Sequence, residues 1–263
     1  MSKHDVIIGD FGRQGTLRYF QEFSRFEKEV IMKSLNEKEF FDEYRTLKYT
    51  VAGLLPEIKK EFIKQVYADS KVFDSRILIG SKNGQSPMSF VGDFLEHITP
   101  YVASAISTGA TEIRIIIPCN TLAPLSIRLD ELFKDYIESN NMSGRIKISV
   151  PNIPSVVIKN VTSENLYLIG TPSAFKAYEK EIFLQNLNIK LSGGSDEELE
   201  RSEQIILNCI RGRETMDLIK KICYPSSSIV SACTDVSITD TIDSLSIFAQ
   251  EMAYEAYKEL EEL

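Results

Sequence analysis

Two cysteines close apolar runs and are followed at once by small polar residues. EIRIIIPCNT carries Cys119, Asn120 and Thr121, and SSSIVSACTD carries Cys233, Thr234 and Asp235. In parallel α/β sheets, ligands bind at the carboxyl ends of strands, where loops converge. Two thiols so placed suit inversion of an amino-acid centre. Removing a weakly acidic Cα proton needs a positioned base, and inversion needs an acid on the opposite face. One cysteine as thiolate and the other as thiol supply both, exchanging roles with the direction of reaction. An unperturbed thiol titrates near about 8.5, so the base has to be made more acidic, as helix N-termini do. Both motifs precede an expected helix or turn. Backbone N–H groups there, with Asn120, Thr121 and Thr234, can hold a substrate α-carboxylate and spread the charge of a planar intermediate. The other reading of each cysteine is a small buried hydrophobe. Cys209 and Cys223 fall inside expected helices and read as core residues.

The elements that position these motifs alternate in the manner of an α/β protein. Apolar runs ending at Gly or Pro predict strands over 5–9, 76–80 and 112–118, with further strands over 146–150, 155–158, 166–170 and 228–232. Helical periodicity covers 15–29, 37–67, 88–107, 123–139, 174–186, 196–210, 214–222 and 242–263. Gly53 and Pro56 divide the second of these into two helices with charge-rich faces. A polar stretch over 139–145 (SNNMSGR) is the candidate linker, and 192–195 (SGGS) reads as a loop. The expected class is therefore α/β, as one large domain or two compact ones, with one strand-end cysteine in each half of the chain. Nothing is low-complexity and no short-period repeat occurs.

Composition excludes several other classes. With 263 residues, 43% hydrophobic and 26% charged, the chain has the make-up of a globular protein. A net charge of −8 speaks against binding a phosphate backbone. No apolar run approaches the roughly 18 residues of a membrane helix, and MSKHDVIIGDFG does not read as a signal peptide. A cytoplasmic location is expected, with no nucleic-acid or membrane partner. In a reducing compartment the 4 cysteines, none in a C-x-x-C pair, are not expected to form disulfides. With only 2 histidines, His4 and His97, outside any ligand pattern, no metal site is expected.

The motifs also carry a family resemblance. IIIPCNTLAP resembles the first catalytic motif of the aspartate/glutamate racemase superfamily, PLP-independent enzymes that use two cysteines. SACTDVSI is similar to the second motif, in which Cys-Thr is followed by Glu in aspartate racemases and His in glutamate racemases. VIIGDFGRQGT resembles the opening glycine-rich loop, and LYLIGTPSAFKAY the strand–Gly-Thr–helix segment of the second domain. In order and spacing the four segments agree with the family over most of the chain. The resemblance implies two similar α/β domains with mostly parallel sheets facing each other across an active-site cleft, 1–143 plus 244–263 carrying Cys119 and 144–243 carrying Cys233. It makes Cys119 and Cys233 the acid/base pair. It has Asn120, Thr121 and Thr234 binding the amino-acid end of the substrate and Thr171 lining the cleft. No cofactor is implied, and family members are often homodimers.

Departures bear on the substrate. Asp10 stands where glutamate racemases carry a D-S-G turn, with Phe11 replacing the Ser. Asp235 replaces the Glu or His after the second Cys-Thr, keeping the carboxylate one methylene shorter. GSKNGQSPM lacks the arginine with which aspartate racemases grip a side-chain carboxylate. Lys82 and Arg13 are candidate substitutes, with Arg211 a further cation; the alternative for each is a solvated charge. The stretch 37–69 has no counterpart in compact members and is a lid, an oligomer surface or decoration. Acidic-residue racemisation, aspartate ahead of glutamate, is the expected activity. A maleate isomerase-like enzyme of the same fold and a non-catalytic small-molecule binding protein are the alternatives.

Overall fold

In the computed structural model the described residues are 3–8, 13–34, 48–52, 86–142, 144–210, 213, 215, 217, 219, 228–234, 237–238 and 241–257. Among these residues the architecture is α/β, with two four-stranded parallel sheets. The first contains β1 (Lys3–Ile8), β2 (Lys48–Ala52), β3 (Glu112–Ile116) and β4 (Lys147–Ser149); the second contains β5 (Asn165–Ile169), β6 (Lys190–Ser192), β7 (Ser228–Ser231) and β8 (Ile242–Asp243). Their orders are β2-β1-β3-β4 and β6-β5-β7-β8, so each sheet repeats one topology. The helices are α1 (Arg13–Ser34), α2 (Val91–Ser107), α3 (Ala123–Ser139), α4 (Ile153–Asn160), α5 (Pro172–Leu184), α6 (Asp196–Ile210) and α7 (Ser244–Tyr257).

Near-continuous apolar strands reflect burial on both faces, as parallel sheets require. Val6, Ile8, Ile113 and Ile115 meet Phe94, Ile98 and Val102 of α2 and Leu125, Leu129 and Phe133 of α3 in the outer core of the first half. Tyr167, Ile169, Ile229 and Cys233 meet Ile205 and Ile206 of α6 in that of the second. Between the sheets lies a third core, to which both contribute. Ile7 and Ile116 of the first sheet and Leu166, Leu168 and Val230 of the second join Tyr19 and Phe23 of α1, Val157 of α4, Tyr178 of α5, and Phe248 and Met252 of α7. The two halves are thus bound by apolar packing as well as by the hydrogen bonds of the site.

Within that central layer, the first sheet presents a buried ion pair. Asp5 and Arg114 are direct partners across β1 and β3, and the guanidinium donates to both carboxylate oxygens at 2.8 and 2.7 Å. A third donation, at 2.8 Å, reaches the Met252 carbonyl of α7. Burial opposes the charge on Arg114, but the Asp5 carboxylate outweighs it and raises the guanidinium's proton affinity. Lys3 Nζ donates to the Glu255 and Ala256 carbonyls, and Tyr257 to Glu27 of α1 at 2.5 Å. These bonds hold α7 against α1 and the first sheet.

Three expectations are corrected. Residues 155–158 form no strand but lie inside α4, where Pro154 occupies the first turn with its φ already suited to a helix. Ile153, Val157 and Ile158 then share one face, buried in the central core, which overrides the strand preference of Val156 and Val157. Within 37–67, expected to be helical, the described residues 48–52 form β2, in which Tyr49, Thr50 and Val51 pair with Asp5, Val6 and Ile7; the rest of that stretch lies outside the described residues. The final helix begins at Ser244, because Ile242 and Asp243 pair with Val230 and Ser231. β4 pairs with β3, so residues 147–149 sit in the first sheet, just past the expected boundary at 143/144. The strand expected over 76–80 lies outside the described residues, and the helix expected over 214–222 mostly so.

Candidate active site

Strand order reverses between β1 and β3 in the first sheet and between β5 and β7 in the second, the switch points at which open α/β sheets bind ligands. Cys119 follows β3 through Ile117 and Pro118, and Cys233 follows β7 through Ala232. The two cysteines therefore occupy equivalent positions in the repeated topology. Both are buried, 4% and 8% exposed, with neither in a disulfide.

Cys119 caps a 3-10 turn, Asn120–Leu122, that runs directly into α3. Its N–H donates to the Ile117 carbonyl at 2.8 Å, and its own carbonyl accepts from the Leu122 N–H at 3.2 Å. Pro124, in the first turn of α3, fits where no intrahelical N–H is needed. The amide-rich start of this turn is a place where helix dipoles favour a thiolate or a substrate carboxylate.

On the other side of the site, Gly170 and Thr171 follow β5. A Cβ on Gly170 would stand 3.1 Å from Ala232 Cβ and 3.4 Å from Ala174 Cβ, so the absence of a side chain lets β5 and β7 end in close contact beside Cys233. Thr171 caps α5, its hydroxyl accepting from the Ala174 N–H at 3.3 Å. The Ala232 N–H donates to the Ile169 carbonyl at 2.8 Å.

Of the residues expected at the site, the structure joins several across the halves. Thr121 and Thr171 share a hydroxyl–hydroxyl bond of 3.1 Å. Asn120 Nδ2 donates to Ser244 Oγ at 2.9 Å, and Ser244 Oγ donates to the Ser231 carbonyl at 2.7 Å. This chain links the residue after Cys119 to the strand that delivers Cys233. Tyr178 of α5 donates to Asn120 Oδ1 at 3.2 Å, and burial pushes its phenol far above the usual range. Asn120 is thereby oriented on both its amide atoms. Thr234 is buried, and its carbonyl accepts from Arg18. Asp10, Lys82, Asp235 and Arg211 lie outside the described residues, and Arg13 opens α1 with only its backbone described.

Sequence reasoning missed Arg18, Tyr178, Asp243 and Ser244. Asp243 and Ser244, directly before an apolar helix, carry the signature of a helix start, which could have moved the expected boundary. Arg18 and Tyr178 have no such local signal; only the packing of the two halves gives them partners.

Two parallel sheets of one repeated topology, each followed at its switch point by a buried cysteine, define an α/β protein of two like halves. No family model and no curated protein sequence matches the chain. Among solved structures, it is similar to the crystal structure of "a putative Asp/Glu Racemase from Yersinia pestis". The two share 15% sequence identity and a TM-score of 0.59, over 97% of this chain and 99% of that one. The likeness establishes a shared fold along nearly the whole of both chains. No described helix is long and apolar enough to cross a membrane.

Proposed function

We propose that the protein racemises an acidic amino acid, aspartate in preference to glutamate, by proton transfer at Cα between Cys119 and Cys233. The observation that carries this reading is the equivalence of the two buried cysteines at the ends of β3 and β7. The thiolate of one cysteine takes the Cα proton, and the thiol of the other returns a proton to the opposite face; the roles exchange with the direction of reaction, and proton exchange with water restores the starting thiolate and thiol. Both acid and base come from the chain, so the reaction calls for no cofactor. First-turn amides after Cys119 and the second N–H of Asn120, which its bond to Ser244 does not use, hold the α-carboxylate. Thr121, Thr171 and Thr234 complete the amino-acid end. Asp10 and Asp235 are assigned to orienting the ammonium group or a thiol, and Lys82 or Arg13 to the side-chain carboxylate. The preference for aspartate follows from the acidic Asp235 after Cys-Thr and from Phe11 in the opening loop. Likeness in fold to a protein described as "a putative Asp/Glu Racemase" supports racemisation in general.

The test is incubation with L-aspartate, L-glutamate and a panel of other amino acids in deuterated water. Loss of the Cα proton signal and appearance of the D-enantiomer are followed together. Exchange with racemisation, abolished in Cys119→Ala and in Cys233→Ala, supports the reading and names the substrate. Absence of exchange across the panel sinks it and turns attention to maleate, then to ligand binding without turnover.

A further inference from the structure

Arg18 belongs to α1 in the first half, yet both its partners belong to the second. Nη1 donates to the Thr234 carbonyl at 2.7 Å, and Nη2 forms an ion pair with Asp243 Oδ2. Asp243 uses its other oxygen to accept from the Leu245 and Ser246 N–H groups at 3.0 and 3.3 Å, capping α7. The two charged side chains are only 16% and 20% exposed, so solvent competes weakly for these bonds. Cys233 therefore lies between two anchored neighbours. On one side the Ala232 N–H is bonded to β5, and on the other the Thr234 carbonyl is bonded to Arg18.

We infer that Arg18 is a positioning residue for the Cys233 thiol, tying the loop that carries it to α1 and to the cap of α7. A guanidinium suits this task because its planar fork reaches a carbonyl and a carboxylate at once, which an ammonium cannot do in the same geometry. Its charge is balanced by Asp243, so Arg18 acts on the loop rather than on a substrate anion. Proton transfer at carbon is sensitive to such placement, since an error of about 1 Å can lower a rate about 10²-fold. The kinetic side of this inference rests on the racemase reading; the placement of Cys233 does not.

The test compares the wild type with Arg18→Ala, Arg18→Lys and Asp243→Asn, the last keeping an oxygen to cap α7. Rates of iodoacetamide labelling at Cys119 and Cys233 are read separately by peptide mass spectrometry across pH, and kcat and KM are measured on the substrate found above. Release of the loop is expected to speed labelling of Cys233 about tenfold in Arg18→Ala by opening access to a buried thiol. Labelling of Cys119 stays at the wild-type rate. kcat falls about 10²-fold with little change in KM, and Arg18→Lys recovers part of both effects. Unchanged labelling of Cys233, or equal acceleration at both cysteines, overturns the inference, as does a rise in KM alone. Should Arg18→Ala fail to fold, Arg18→Lys and Asp243→Asn carry the same comparison. If the wild type racemises nothing, the proposed activity fails, and the labelling pattern alone decides the role of Arg18.

Discussion

The backbone of Cys119 is bonded within its own turn, whereas the residues on either side of Cys233 are bonded to distant elements. Around Cys119, the bonds to Ile117 and Leu122 close within a few residues, and the 3-10 turn feeds straight into α3. Around Cys233, the anchors are Ile169 from β5, Arg18 from α1 and, through the Ser231 carbonyl, Ser244 from α7. Equivalent places in a repeated topology are thus stabilised by different means. Asn120 and Thr121, beside Cys119, do reach Ser244, Tyr178 and Thr171 of the second half, so the contrast lies in the backbone at each cysteine. Releasing Arg18 from the Thr234 carbonyl should therefore disturb Cys233 more than Cys119.

The largest expected effect treats the two alike. Cys119→Ser and Cys233→Ser should each lower racemisation about 10²–10⁴-fold, the usual contribution of a positioned acid or base. A steady-state assay from both enantiomers checks this, and survival of activity in either variant would break the pairing. Gly170→Ala bears on the contrast, because its added Cβ meets Ala232, the residue before Cys233, at 3.1 Å. Crowding of this kind destabilises by about 1–3 kcal/mol; denaturant unfolding should show that loss, and thiol labelling should change more at Cys233 than at Cys119.

Ser244→Ala removes the link between the two loops and leaves the Ser231 carbonyl and the Asn120 amide each short of a partner. A loss of about 1–3 kcal/mol is expected from such unsatisfied groups. A fall in Tm with faster labelling of Cys233 agrees; an unchanged Tm would mean that the loops are not coupled through this bridge.

The smallest effect concerns α1 and α7, which together carry the strap to Cys233. Burial raises the carboxyl of Glu27, only partly offset by the bond from Tyr257. A carboxyl raised on folding binds its proton more tightly in the native state. Its contribution to stability is therefore fully present below the unfolded value near 4.5 and is lost as pH rises through the higher folded value. Glu27→Gln keeps an acceptor for Tyr257 and cannot ionise, so its stability should decline less over that range in unfolding experiments. Parallel curves for variant and wild type would remove Glu27 from the account.

Much of the fold was legible because it is written in local patterns. The runs that became β1, β3, β5 and β7 end where Gly or Pro and small polar residues said they would, and α3 and α6 follow their periodicity. Residues 155–158 misled because a run of β-branched side chains fits a strand and a buried helix equally until Pro154 and the central core are considered. β2 hid inside a charge-rich stretch because an edge strand declares itself mainly through its partner. Cys119 and Cys233 stood out because strand-end cysteines followed by small polar residues form a short motif. Arg18, Tyr178 and Ser244 did not, because a hydrogen bond to another segment of the chain leaves no mark in either of the segments it joins.

By itself, the order of residues determined β1, β3, β5 and β7, the two cysteine motifs and the α/β class, since propensity, periodicity and turn chemistry act over a few neighbours. Only the tertiary structure decided that both sheets share one topology and that the loop of Cys233 is fastened by α1 and α7. Those features depend on which distant surfaces exclude water together, and that is settled when the halves pack.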